Sequence, residues 1–184
     1  MIVIWESSYW KRELFYMARD LRRRMEQKRW QSASLARIEL HVMLGFYMIR
    51  KMIEARKISD EIPAREMRVA LHPPTGTRVT YQNAHKISRL YDMGTVTHEI
   101  QTVRYVCNQI VHSFVFVPLL REHAGWDGVL FASDRQRQQG AYYLSSEDII
   151  DLFEKVAFND PADYSWTIDE ETGQEIIKVG PSLQ

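Results

Sequence analysis

Gln101, Arg104, Tyr105, Asn108 and His112 recur at helical spacing within THEIQTVRYVCNQIVH, residues 97–112. At about 100° per residue they gather on one side of a helix. They form a compact row of hydrogen-bonding groups that ends in a histidine, a side chain able to take or give a proton. Ile100, Val103, Val106, Cys107, Ile110 and Val111 gather on the opposite side, which is the apolar surface a buried central helix needs. No other stretch combines so strong a structural signal with groups that could do chemistry. The same row also suits a polar seam that fixes helix register or a dimer interface.

Other chemistries lack their residues. There is no phosphate-cradling glycine loop, no HExxH and no GxSxG, so no cofactor is expected. The histidines, His41, His72, His85, His98, His112 and His123, have no metal-ligand spacing, and a single cysteine supports neither a disulfide nor a zinc cluster. Cys107 and His112 point about 140° apart on a helix and make a poor nucleophile pair. Cys107 on the apolar side reads as a small buried residue, and His41 as a hydrogen-bonded core or boundary histidine.

Composition narrows the classes further. A chain of 184 residues that is 45% hydrophobic can bury a sizeable core. Eight glycines and six prolines disfavour an all-β fold with many tight turns. Zero formal net charge argues against a generic nucleic-acid-coating or membrane-surface protein. The apolar start, Met1 to Ile4, meets Glu6 at once and lacks a basic region before it, so no secretory signal is expected. With no charge-free window of about 18 residues, no membrane span is expected either. The expected location is cytoplasmic.

The charge is unevenly spread. Lys11 to Arg29 is mostly basic, and Ser145 to Glu175 carries ten acids against Lys155. The two could pair within the molecule or between two copies, or be two solvated faces. Arg22, Arg23 and Arg24 are consecutive and fan across a wide arc, as a solvated or partner-facing surface would. They are the candidate binding residues of an RNA- or nucleotide-binding face.

Two long helices are predicted ahead of the central one. One spans residues 9–29, with Ser7 or Ser8 as its cap and Trp10, Leu14, Met17, Leu21 and Met25 as its apolar positions. The other spans 32–57. It is apolar almost all round, with Leu40, Leu44, Tyr47, Met48 and Met52 widening a face of Leu35, Ile38, Val42, Phe46, Ile49 and Ile53, so burial on more than one side is expected. Glu39, His41 and Arg50 interrupt it. Residues 58–77 read as a connection broken by Pro63, Pro73, Pro74 and Gly76, with a short strand or helical turn at 66–71. Beyond His112 the run Ser113 to Val117 is β-prone. Strands follow at 128–133 and 141–145, then a helix capped by Ser145 or Ser146, then a terminal hairpin at 165–179.

Within this layout, Cys107 to His112 resembles the signature of HEPN domains, the "higher eukaryote and prokaryote nucleotide-binding" helical bundles. Their motif is an arginine, usually a polar residue, three more residues and a histidine. Asn108 and His112 match, and Cys107 stands where the arginine belongs. The resemblance spans about residues 9–116. It implies a mainly α fold, with a helical bundle over 1–118 and a small C-terminal α/β appendage over 119–184. It also implies metal-independent ribonucleases of toxin–antitoxin or phage-defence systems, whose site forms between two protomers. Loss of the arginine makes a non-catalytic protein, acting as a homodimer or with a protein partner, the leading expectation. The alternative it implies is RNA cleavage, with His112 as general acid or base, Asn108 positioning and Arg104 holding phosphate charge. Arg104 stands one turn before Cys107, about 60° round the helix.

Overall fold

The computed structural model describes residues 4–122 and 125–181. Met1 to Val3 and His123 lie outside the described residues. In chain order the elements are α1 (Ser7–Arg24), α2 (Ser32–Glu54), α3 (Glu61–Ala64), β1 (Glu66–His72), α4 (Ile87–Leu90), β2 (Thr97–Thr102), α5 (Val103–Val111), β3 (Ser113–Leu120), β4 (Trp126–Ser133), β5 (Ala141–Ser145), α6 (Ser146–Ala157), β6 (Tyr164–Ile168) and β7 (Glu175–Val179). Among these residues no helix is long and apolar enough to cross a membrane.

The expected mainly helical, HEPN-like bundle is overturned. Five strands form one antiparallel sheet in the order β2-β1-β5-β4-β3, and β6 pairs with β7 alone. The fold is α/β, and the resemblance to a helical-bundle family ends there. The physical reason lies in β-pairing at both ends of the motif helix. Residues 97–102 take the edge of the sheet beside β1, with Gln101 opposite Met67 and Glu99 opposite Val69. Residues 113–120 form a strand on β4. The predicted helix is therefore cut to nine residues, and Ile100, expected on its apolar side, is exposed on the edge strand.

β4 forms the centre of the molecule. Its alternate side chains point to opposite faces, and both faces are buried. Val129 and Phe131 enter the main core with Leu14, Leu21, Phe46, Ile49, Val106, Ile110 and Phe153, contributed by α1, α2, α5 and α6. Leu130 and Ala132 enter a second cluster with Val79, Leu90, Tyr91 and Val115. Residues 73–91, including α4, cover that second face; Tyr91 donates its hydroxyl to the Arg137 carbonyl at 2.9 Å.

The predicted α1 and α2 exist but are shorter than expected. Glu6, not a serine, caps α1 by accepting the Ser8 N–H at 2.9 Å. Helix α6 begins as expected, with the Ser145 hydroxyl accepting the Asp148 N–H at 3.1 Å. The basic and acidic runs pair within the molecule where α1 meets α6, through Arg22 and Glu154 at 2.7 Å.

Helix α2 approaches α6 closely at Gly45. A side chain there would run into the ring of Phe153, which is fully buried and edge-on to Phe46. Gly45→Ala is expected to destabilise the protein. Alanine gains about 1 kcal/mol of helix propensity, but forcing a stiff buried ring aside costs about 1–3 kcal/mol. A lower denaturant midpoint with an unchanged slope checks this; a raised midpoint would show that the ring gives way freely.

Candidate functional site

Helix α5 starts where the edge strand ends. The Thr102 hydroxyl accepts the Tyr105 N–H at 3.2 Å, and Val103 donates its N–H to the Arg65 carbonyl at 2.9 Å. Val103, Val106, Cys107 and Ile110 face the core and are fully buried or nearly so. That anchoring leaves Arg104, Asn108 and His112, each four residues after the last, on the exposed side. His112 ends the helix by donating its N–H to the Asn108 carbonyl at 3.1 Å, and its own carbonyl accepts the Asp134 N–H at 3.1 Å. Both backbone groups thus fix where the imidazole emerges.

The five-residue polar row of the sequence divides in two. Gln101 and Tyr105 join a network on the sheet: Gln101 Nε2 donates to Glu99 at 2.9 Å, Tyr142 donates to the same Glu99 oxygen at 3.2 Å, and the Tyr105 and Tyr142 hydroxyls lie 3.2 Å apart. Burial, then the neighbouring Tyr105, pushes the Tyr142 phenol well above its ordinary range. Arg104, Asn108 and His112 instead face α2.

Arg50 of α2 completes the site. Its Nη1 donates to His112 Nε2 at 2.8 Å, and its Nε donates to Glu54 at 2.9 Å. A guanidinium can only donate, so this contact requires a neutral imidazole whose proton is on Nδ1. Lys51 donates to the other Glu54 oxygen at 2.8 Å. The Lys51 bond, with the Arg50 bond behind it, outweighs partial desolvation and holds the Glu54 carboxyl below its ordinary value. Arg50, Ile53, Glu54, Arg104, Cys107 and Asn108 enclose a cleft of about 150 Å³, with His112 bonded to its Arg50 wall. Pockets for drug-sized ligands are about 300–1,000 Å³. This cleft is the size of one small polar group.

Arg104 forms no ion pair with any described residue. The cleft therefore presents two guanidiniums to one carboxylate that Lys51 already shares. Its balance is positive, and its donors are arranged for an anion. Arg50 is the cleft residue that the sequence pattern did not single out. Its signal was an arginine interrupting an apolar helix, with Glu54 one turn later.

Arg22, Arg23 and Arg24 do not join this site. Arg22 pairs with Glu154, Arg23 with Asp20 at 3.0 Å, and Arg24 with Gln27 at 2.6 Å and Asp20 at 3.4 Å. Their fan is real, and much of its charge is spent on neighbours. His41 is half-buried; burial, working against Asp20, holds its pKa below the ordinary histidine value. No group of three His, Cys, Asp or Glu among the described residues could hold a metal ion.

No protein-family model matches the chain, and neither the curated proteins nor the solved structures compared with it give a match.

Cys107 is fully buried, and desolvation pushes its thiol up to about 12. The folded protein is expected to leave a thiol-specific disulfide reagent unreacted at mildly alkaline pH and to react fully once unfolded in guanidinium. Rapid labelling of the folded protein would show that α5 does not seal this position.

Proposed function

We propose that the protein binds a phosphate-bearing ligand, a nucleotide or single-stranded RNA, in the α2–α5 cleft without cleaving it. The observation that carries this reading is the unpaired Arg104 set across a phosphate-sized cleft from Arg50. Arg50 keeps its Nη2 protons for a ligand after bonding Glu54 and His112. Asn108 adds an amide at the rim. A phosphate oxygen accepting from both guanidiniums would satisfy the excess positive charge.

The same groups are not set for cleavage. Transfer through a ribose 2′-hydroxyl needs one group to take a proton and another to give one. Glu54 is held as a carboxylate between Lys51 and Arg50. His112 has Nε2 engaged by Arg50. Neither is poised as the acid.

Fluorescence anisotropy with a labelled single-stranded oligoribonucleotide tests the reading, and competition by a mononucleotide separates the two ligand sources. A hydrogen bond to a charged group is worth about 1.5–3 kcal/mol, so Arg104→Ala is expected to weaken binding roughly 10- to 100-fold. The log–log salt slope should become shallower by about 0.7 for the lost phosphate contact. Arg104 is exposed, so this variant tests binding without disturbing the core. Equal affinity for Arg104→Ala and wild type would remove the proposal. RNA should stay intact with EDTA present, whereas cleavage lost in His112→Ala would make the cleft a nuclease site.

A further inference from the structure

Residues 73–91 carry Arg78, Lys86 and Arg89 and no aspartate or glutamate. They cover the face of the sheet that the helices leave free, through Val79, Leu90 and Tyr91. The three bases are exposed, and so is Arg135 in the loop between β4 and β5. None of these four forms an ion pair with any described residue. In a chain of zero formal net charge they are positive surface without local compensation.

An aromatic platform stands among them. Tyr81 is 89% exposed, yet the turn that carries it is tightly held. The Thr80 N–H donates to Asn83 Oδ1 at 2.7 Å, the Ala84 N–H to the Thr80 carbonyl at 3.0 Å, and Asn83 Nδ2 to the Arg78 carbonyl at 2.9 Å. The Gln138 amide clamps Val79 from the opposite loop, accepting its N–H at 3.2 Å and donating to its carbonyl at 3.1 Å. That clamp ties the turn to the loop of Arg135 and Arg137. The Tyr81 ring packs on Phe114 with centroids 4.7 Å apart, and the Arg137 guanidinium lies 3.6 Å from the centre of the Phe114 ring. A firmly held, exposed ring flanked by free cations is what a nucleobase stacks on.

We infer that the ligand of the α2–α5 cleft is a single strand of RNA that continues from the cleft onto this platform, an inference that rests on the phosphate-binding reading of that cleft. The two places adjoin through the backbone. Phe114 follows His112 by two residues, a span of at most about 7 Å, and the Asp134 N–H bonds the His112 carbonyl. Strand β3 is the edge of the sheet there. A strand held by phosphate at Arg50 and Arg104 would pass His112, round the edge of β3, and lay a base on Tyr81 while Arg135 and Arg78 meet further phosphates. Asp134, the acid on this path, is paired with Arg137 at 3.3 Å. A mononucleotide fills the cleft alone. A duplex keeps its base faces stacked within itself and has none to offer Tyr81.

Fluorescence anisotropy with a labelled single-stranded oligouridylate, beside calorimetry with uridine monophosphate, tests it on the full chain. Wild type is expected to bind the oligomer more tightly than the mononucleotide by about tenfold or more. Tyr81→Ala should weaken the oligomer roughly 10- to 100-fold and leave the mononucleotide unchanged, whereas Tyr81→Phe, which keeps a stacking face, should bind like wild type. Arg78→Ala with Arg135→Ala should make the log–log salt slope of the oligomer shallower by about 1.4 for the two lost phosphate contacts. All three side chains are exposed, so the circular dichroism spectrum should not change. Oligomer affinity that ignores Tyr81→Ala overturns the platform, while a loss of both ligands in Arg104→Ala would still support the cleft. Oligomer affinity that depends on Tyr81 but not on Arg104 overturns the cleft reading and, with it, the continuous path. Absence of binding to either ligand overturns both.

Discussion

Strand β4 has no face that can meet water, and the rest of the structure follows from that. Val129 and Phe131 on one side and Leu130 and Ala132 on the other are fully buried, while β3 and β5 pair with both of its edges. Each large apolar side chain is worth about 1.5–3 kcal/mol when removed from water. The sheet therefore needs two covers. Four helices supply one, and the irregular segment 73–91 supplies the other with Val79, Leu90 and Tyr91. That segment has little secondary structure to organise it. It is held by hydrogen bonds such as Thr75 to the Arg89 carbonyl at 2.6 Å and by the apolar side chains it must bury.

The cleft inherits its geometry from this arrangement. A nine-residue helix such as α5 would not persist alone in water. Packing of its buried face between α2 and β4 holds it, and the polar side is exposed as a consequence. Position 112 is set by two strands as well as the helix, because β3 starts at the next residue and the Asp134 N–H bonds the His112 carbonyl. The imidazole thus meets Arg50 on a rigid frame. The chemistry of the cleft depends on side chains whose backbones have little freedom to move.

How much of this was legible in the sequence depended on whether local pattern or distant pairing decided each element. Helices α1, α2 and α6, strands β4 and β5 and the terminal hairpin all announced themselves through periodicity, caps and turns. Residues 97–102 did not. THEIQT continues the helical spacing of α5, and only pairing with Glu66–Leu71, some thirty residues earlier, makes it a strand. With that strand missed, 66–71 open between strand and helical turn, and the pairing of 113–120 on β4 not visible locally, the chain resembled a helical bundle. The row from Gln101 to His112 was legible as polar, and Cys107 as buried. Its division into a Glu99–Tyr142 network and an Arg50 cleft was not, because the partners come from distant elements.

Helix α2 lines both the cleft and the exposed α1–α2 groove, and the magnitudes show how far one can influence the other. Its sequence is apolar nearly all round, yet the core takes Ile38, Val42, Phe46, Ile49, Met52 and Ile53 and leaves Leu40, Leu44 and Tyr47 outside. One turn further on, Lys51 sits 5.5 Å from the centre of the Tyr47 ring and also pairs with Glu54, which pairs with Arg50, which holds His112. A continuous chain of contacts therefore joins the groove to the cleft. Its middle links are partly exposed ion pairs, and such pairs are worth about 0–1 kcal/mol. Covering Tyr47 can alter the hold on Arg50 only through them. A change at the groove can thus alter ligand affinity at the cleft by about fivefold at most, so the groove can be substituted while the cleft is measured almost undisturbed.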